Sequence, residues 1–173
     1  LLEAGVTVAV ATDGTSPRTP FDLFQAARKA QLIQQLLKRD QFYLPPGKLL
    51  EMITIDAARV LGWDDEIGSL EPGKKADIIL VDVHQPHLYP NFMPVHRLIY
   101  QACGSDVSTV IVDGEVLMRD REVLCVNELA ILSSAQEEAL ALIERAGLEE
   151  YMKLPSAFWK KAYLTFEEPR CRP

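Results

Sequence analysis

Val6-Thr7-Val8-Ala9-Val10-Ala11 runs directly into Thr12-Asp13-Gly14. The run is apolar and rich in β-branched residues, and turn formers follow it. It predicts a buried strand that ends on a carboxylate and opens a loop. Enzymes built on parallel sheets place reacting side chains at the C-terminal tips of their strands. Asp13 is therefore the first candidate for catalysis. Downstream, Gly14-Thr15-Ser16-Pro17-Arg18 reads as loop, and Thr19-Pro20-Phe21-Asp22 as a helix start with Thr19 at the N-cap, Pro20 at N1 and Asp22 at N3. Leu23, Ala27, Ala30, Ile33 and Leu37 recur at three- and four-residue spacing, which predicts a helix ending near Lys38. Strand, loop and helix together make one βα unit of an α/β fold.

Pro45-Pro46-Gly47 breaks the chain and starts a second predicted helix. Leu49, Leu50, Ile53, Ala57, Val60 and Leu61 line one side of it, and Gly62 closes it. Beyond Gly62 the pattern becomes that of a small β region. Residues 77–82 read as a strand covered on both faces. Residues 108–112 and 115–118 flank Asp113-Gly114, a strong hairpin signal, and residues 122–126 add one more short strand. Asn127 is placed to cap a helix over residues 128–145 that Gly147 closes.

Composition narrows the function classes. The chain has 173 residues, of which 48% are hydrophobic, enough for a core, and its net charge of −7 argues against a nucleic-acid partner. Lys38-Arg39, Lys74-Lys75 and Lys160-Lys161 are scattered and read as solvated ends of elements. Cys103, Cys125 and Cys171 form no C-x-x-C pair, so neither a disulfide framework nor a structural zinc site is expected. His84, His87 and His96 lie on a proline-rich connection and read as surface imidazoles rather than a His-x-x-His metal site. No run approaches the ~20 apolar residues of a membrane span, and the N-terminus lacks the layout of a signal peptide. A soluble, cytoplasmic protein with no membrane partner is expected. The chain opens on Leu1 and reads as the back part of a larger enzyme.

Three stretches taken together carry a resemblance. They are Thr12-Asp13-Gly14, the segment Thr54-Ile55-Asp56-Ala57-Ala58-Arg59-Val60-Leu61-Gly62, and the run Ile67-Gly68-Ser69-Leu70-Glu71-Pro72-Gly73-Lys74-Lys75-Ala76-Asp77-Ile78-Ile79-Leu80-Val81-Asp82. In this order they resemble the C-terminal part of the metal-dependent amidohydrolase superfamily, above all its triazine hydrolase and adenosine-type deaminase branch. The Asp113-Gly114 hairpin and Pro86-His87-Leu88-Tyr89-Pro90, followed by Leu98-Ile99-Tyr100-Gln101-Ala102, fit that branch too. The likeness runs from about residue 1 to about residue 126.

The resemblance implies an α/β chain. It would carry the last strand and helices of a TIM-type (β/α)8 barrel (residues 1–62), part of a small β-sandwich domain (63–126), and a C-terminal helix and tail (127–173). In the family a His-x-His pair and a further His upstream bind one divalent metal, zinc or iron, and an Asp on the eighth strand completes the site and takes the proton of the metal-bound water. Asp13 matches that last position and is the candidate metal ligand and catalytic base. Ser16 and Arg18 are candidates to meet substrate. The loop Thr15-Ser16-Pro17-Arg18-Thr19-Pro20 departs from the small Ala-Ser-Asn-Asn-like run of nucleoside deaminases. Triazines, aminopurine nucleosides and cyclic amides all stay open.

The reading that follows is a metal-dependent hydrolase of a non-peptide C–N bond, deaminating a nitrogen heterocycle. Its partners would be a small heterocyclic substrate, the missing N-terminal half of the barrel, and further copies in a homo-oligomer. The alternative is a non-catalytic remnant that serves as an association module.

Overall fold

A computed structural model describes residues 1–14 and 20–153. The chain divides into two units, Leu1–Val126 and Asn127–Pro173. In the first, helices α1 (Leu23–Lys38), α2 (Pro46–Met52), α3 (Ile55–Leu61) and α4 (Pro94–Tyr100) accompany strands β1 (Ile78–Val81), β2 (Val107–Val112), β3 (Glu115–Arg119) and β4 (Glu122–Val123). The strands form one antiparallel sheet in the order β1-β2-β3-β4. The unit is thus α/β, with a small antiparallel sheet.

Helix α1 has the expected span but a different start. Asp22, expected at N3, is itself the N-cap, and its carboxylate accepts the N–H of Gln25. Thr19, the expected cap, lies outside the described residues. An ionised Asp is a stronger acceptor than a threonine hydroxyl, and it also offsets the positive end of the helix dipole.

The single helix expected after Pro45 is two. The backbone leaves helical geometry at Thr54 (φ −133°, ψ −100°), where α3 begins. The Thr54 hydroxyl donates to the carbonyl of Leu50 at 2.6 Å. That bond offers the carbonyl a partner other than the next backbone N–H, and the adjacent β-branched Ile53 adds crowding. Gly62 ends α3 in the left-handed region, as its position suggests.

Residues 6–11 join no strand ladder among the described residues, unlike the buried strand expected there. Their backbone is tied to α2 through Val10 N–H to Met52 O at 3.1 Å. A parallel strand is made by its neighbours, and the sheet of this chain forms around other residues. Strand β1 also differs from expectation, since Ile79 and Leu80 are half exposed rather than covered on both faces.

The Asp113-Gly114 hairpin forms with both residues at positive φ, 51° and 83°. That is the twist a two-residue turn between antiparallel strands requires. Asp120 and Arg121 make a second such turn into β4 without glycine. The core has two centres. Ala27, Leu44, Leu49, Met52 and Ile99 form one, against which Val8 and Val10 pack. Phe24, Leu88 and Ala102 form the other, against Val81 and Val107 of the sheet. Ile53 touches both, so the α2–α3 break sits where helices and sheet meet.

The second unit contains α5 (Glu128–Ala146), capped by the Asn127 side chain through Ala130 N–H and closed by Gly147 in the left-handed region. No helix among the described residues is long and apolar enough to cross a membrane.

Candidate functional site

Packing of Val8 and Val10 against the first core centre fixes the direction in which the chain reaches Asp13. Asp13 is exposed and has φ 62°, a left-handed conformation that Asp tolerates better than most residues. Its Oδ1 accepts the N–H of Gly14 at 2.7 Å. The carboxylate is thereby oriented by its own turn where the apolar run ends. Ser16 and Arg18 lie outside the described residues.

An apolar cleft of about 470 Å³ beside residues 8–10 is lined by Ile33, Tyr43 and Met52 among others, and Asp13 is not among its lining residues. Its lining is mostly aliphatic, with no charged side chain, so it has the character of an uncovered core face rather than a substrate site.

A single carboxylate oxygen suits a hard or borderline divalent cation. Asp13 can fill one coordination position, and catalytic zinc sites ordinarily use three protein ligands. Among the described residues, the one His/Cys/Asp/Glu cluster with metal-ligand spacing is His87, Cys103 and Asp106, which excludes Asp13.

Asp22, which the sequence marks only as a helix-start residue, anchors the start of α1. Asp22 is 8% exposed and accepts from Gln25 N (3.0 Å), Gln25 Nε2 (3.1 Å) and Gly104 N (2.9 Å). Burial alone would raise its pKa. The Gly104 and Gln25 donors, with the Arg28 charge nearby, outweigh burial and hold the carboxyl below its ordinary range. Arg28 in turn donates to the carbonyls of Ile99 and Ala102 at 3.1 and 2.7 Å. Helix α1 is thus pinned to the segment that leads into β2.

The histidines divide. His84 is exposed beside Asp82, and His96 lies edge-on to Tyr100, both in keeping with surface imidazoles. His87 is exposed as well, but it also meets a buried partner. Its Nε2 is 2.9 Å from Oδ2 of Asp106, a carboxylate only 5% exposed. Burial pushes the Asp106 pKa up, but His87 and the N–H and thiol of Cys103 more than reverse it, and the net shift is downward. Nothing in the local sequence marks this pair, because its members lie 19 residues apart on different turns.

Comparison with known proteins places the chain in a family. A model of the amidohydrolase family matches residues 1–117. A 5-methylthioadenosine/S-adenosylhomocysteine deaminase of Desulforudis audaxviator is 46% identical over 144 residues, 83% of this chain and 34% of that protein. The crystal structure of an adenosine deaminase from Xanthomonas campestris with bound zinc superposes with a TM-score of 0.76 at 31% identity, covering 79% of this chain and 31% of that one. The zinc complex of an atrazine chlorohydrolase from Arthrobacter aurescens TC1 gives 0.71 at 27% identity, covering 79% and 30%. The chain spans about a third of the length of the curated relatives it matches. By the extent of the family match and the level of these identities, the chain belongs to the amidohydrolase family.

Proposed function

We propose that these residues supply the eighth-strand end of a metal-dependent hydrolase that deaminates an amino-substituted nitrogen heterocycle, with an adenosine-type nucleoside as the first substrate class to test. The observation that supports this most is the 46% identity to a deaminase named for 5-methylthioadenosine and S-adenosylhomocysteine. In this reading residues 6–11 are the last barrel strand, α1 is the helix after it, and the sheet β1–β4 is part of a sandwich domain. The remaining barrel strands, and further copies of the protein, are its partners.

Asp13 would hold a divalent metal, zinc or iron, at one position. When bound, the metal lowers the pKa of a coordinated water to ~7. The chain's own contribution is the carboxylate. In hydrolytic deamination water adds to the carbon that bears the amine, one proton must leave the water, and one must reach the departing nitrogen. An ionised Asp13 can accept the first proton and return it as the second, so that ammonia leaves and the heterocycle keeps the oxygen. The Gly14 N–H on Oδ1 holds the carboxylate in one orientation for both transfers. Ser16 and Arg18, next along the chain, are proposed to meet substrate. A guanidinium there suits a planar, polar edge.

An ammonia-release screen of the complete enzyme over aminopurine nucleosides, aminopyrimidines and aminotriazines tests the reading. Turnover of an adenosine-type substrate is expected. Activity confined to cyclic imides or N-acyl amino acids, with no ammonia formed, would overturn it.

A further inference from the structure

We propose that His87, Cys103 and Asp106 form a binding site for a thiophilic divalent cation such as Zn²⁺ or Cd²⁺. The proposal rests on residues 87–106 and is independent of the function proposed above.

The donor atoms are already close to coordinating positions. All three lie within 4.8 Å of one another. The Nε2–Oδ2 separation is 2.9 Å and the Sγ–Oδ2 separation 3.3 Å. Zinc bonds of about 2.0–2.3 Å at tetrahedral angles put pairs of ligand atoms about 3.2–3.6 Å apart. Two of the three separations are therefore already within a few tenths of an ångström of coordinating distances. The donor set, one thiol, one imidazole and one carboxylate, favours zinc and cadmium over magnesium or calcium.

The surroundings orient these ligands as a metal site requires. The Cys103 N–H donates to Asp106 Oδ2 at 2.8 Å, and Ser105 Oγ lies 3.0 Å from Cys103 Sγ. Both contacts survive coordination, in which the carboxylate still accepts and the thiolate accepts from the hydroxyl. The backbone beneath is fixed, because Gly104 N–H is held by buried Asp22 and Ala102 is fully buried. Access comes from the other side, where the His87 side chain is 45% exposed and Cys103 is half-buried. Three protein ligands with one open position would result.

The charges and protons balance. Asp106 is ionised, and Cys103 gives up one proton to become a thiolate. His87 would coordinate through Nε2, with its ring N–H on Nδ1. Two negative charges then meet one dication, with one proton released per ion. Without the cation, the same atoms hold one another through protons, so the site is organised in advance.

Cadmium titration of the complete protein carrying Cys125→Ser and Cys171→Ser tests the proposal, read by the sulfur-to-cadmium charge-transfer absorption in the ultraviolet. Only a thiolate ligand produces this band, so ions held by carboxylates or imidazoles elsewhere do not contribute. One equivalent of band per chain is expected. It should vanish in Cys103→Ser, and His87→Gln, which keeps a donor to Asp106, should weaken binding at least tenfold. Melting curves that overlay the parent's establish that both variants remain folded. No band in the parent, a band unchanged by Cys103→Ser, or unaltered affinity in His87→Gln would each overturn the site.

Discussion

Asp22 Oδ2 accepts the backbone N–H of Gly104 at 2.9 Å, a bond between residues 82 apart in sequence. It joins the first turn of α1 to the turn that opens β2. The same carboxylate caps the helix through Gln25. One buried side chain therefore fixes α1 relative to the turn that leads into the sheet.

Removing this carboxylate should be felt at both ends of the bond. Asp22→Ala is expected to destabilise by about 1–2 kcal/mol, because loss of an N-cap alone costs about 0.5–2 kcal/mol and the bond to the Gly104 N–H is lost as well. Asp22→Asn keeps acceptor capacity and should lose less. Urea unfolding of the two variants measures the difference, and equal losses would show that the charge contributes nothing.

Acid should weaken the protein through the same groups. Asp22 and Asp106 both have pKa values lowered by folding. A carboxyl whose folded pKa is depressed stabilises the fold above its unfolded pKa of about 3.9, and the stabilisation disappears as pH falls through the folded value. Melting temperature is thus expected to hold down to about pH 5 and then to fall below about pH 4. The difference between parent and Asp22→Ala should narrow over that lower range, and a constant difference would exclude Asp22 from the transition.

Glycine at position 68 is required by two independent features. Its φ is +91°, and a Cβ there would sit 2.7 Å from Ala58 Cβ and 3.0 Å from Ile55 Cα. The loop into β1 crosses α3 where only a hydrogen fits. Gly147 has φ +63° but open space around it. Gly147→Ala should cost about 1 kcal/mol, the left-handed penalty alone, and Gly68→Ala distinctly more, since backbone must also move. Similar losses in chemical denaturation would mean that the α3 crossing relaxes easily.

These residues also mark where the sequence was readable. Helix α1, the Asp113-Gly114 turn and the closing Gly62 and Gly147 are written in local spacing and in conformations that only a few residue types adopt. Gly68 stood in a family-specific run, but its reason is a contact with α3 that no local pattern reveals. The α2–α3 break depends on one hydroxyl finding the Leu50 carbonyl. His87 with Asp106, and Asp22 with Gly104, are non-local pairs on irregular turns, where neither a 3.6-residue nor a two-residue period exists to be read. Asp13 was legible because a strand-like run ends on it, and residues 6–11 lack a ladder because pairing is a property of neighbours rather than of the run itself.

Asp13→Asn in the complete enzyme separates chemistry from structure. Asn tolerates the left-handed φ of 62° as well as Asp does, and its side-chain oxygen can still accept the Gly14 N–H. The turn should form, and melting should stay within about 0.5 kcal/mol of the parent, as for other exposed sites. What Asn lacks is a site for a proton, together with the negative charge that draws a cation. General base catalysis contributes about 10²–10⁴ in rate, so turnover should fall by at least a hundredfold, with a further loss where metal content drops. Metal content is measured by elemental analysis alongside ammonia release, which apportions the loss between the two roles. A fall of less than tenfold with metal retained would make Asp13 a turn residue and remove the chemical basis of the proposed deamination.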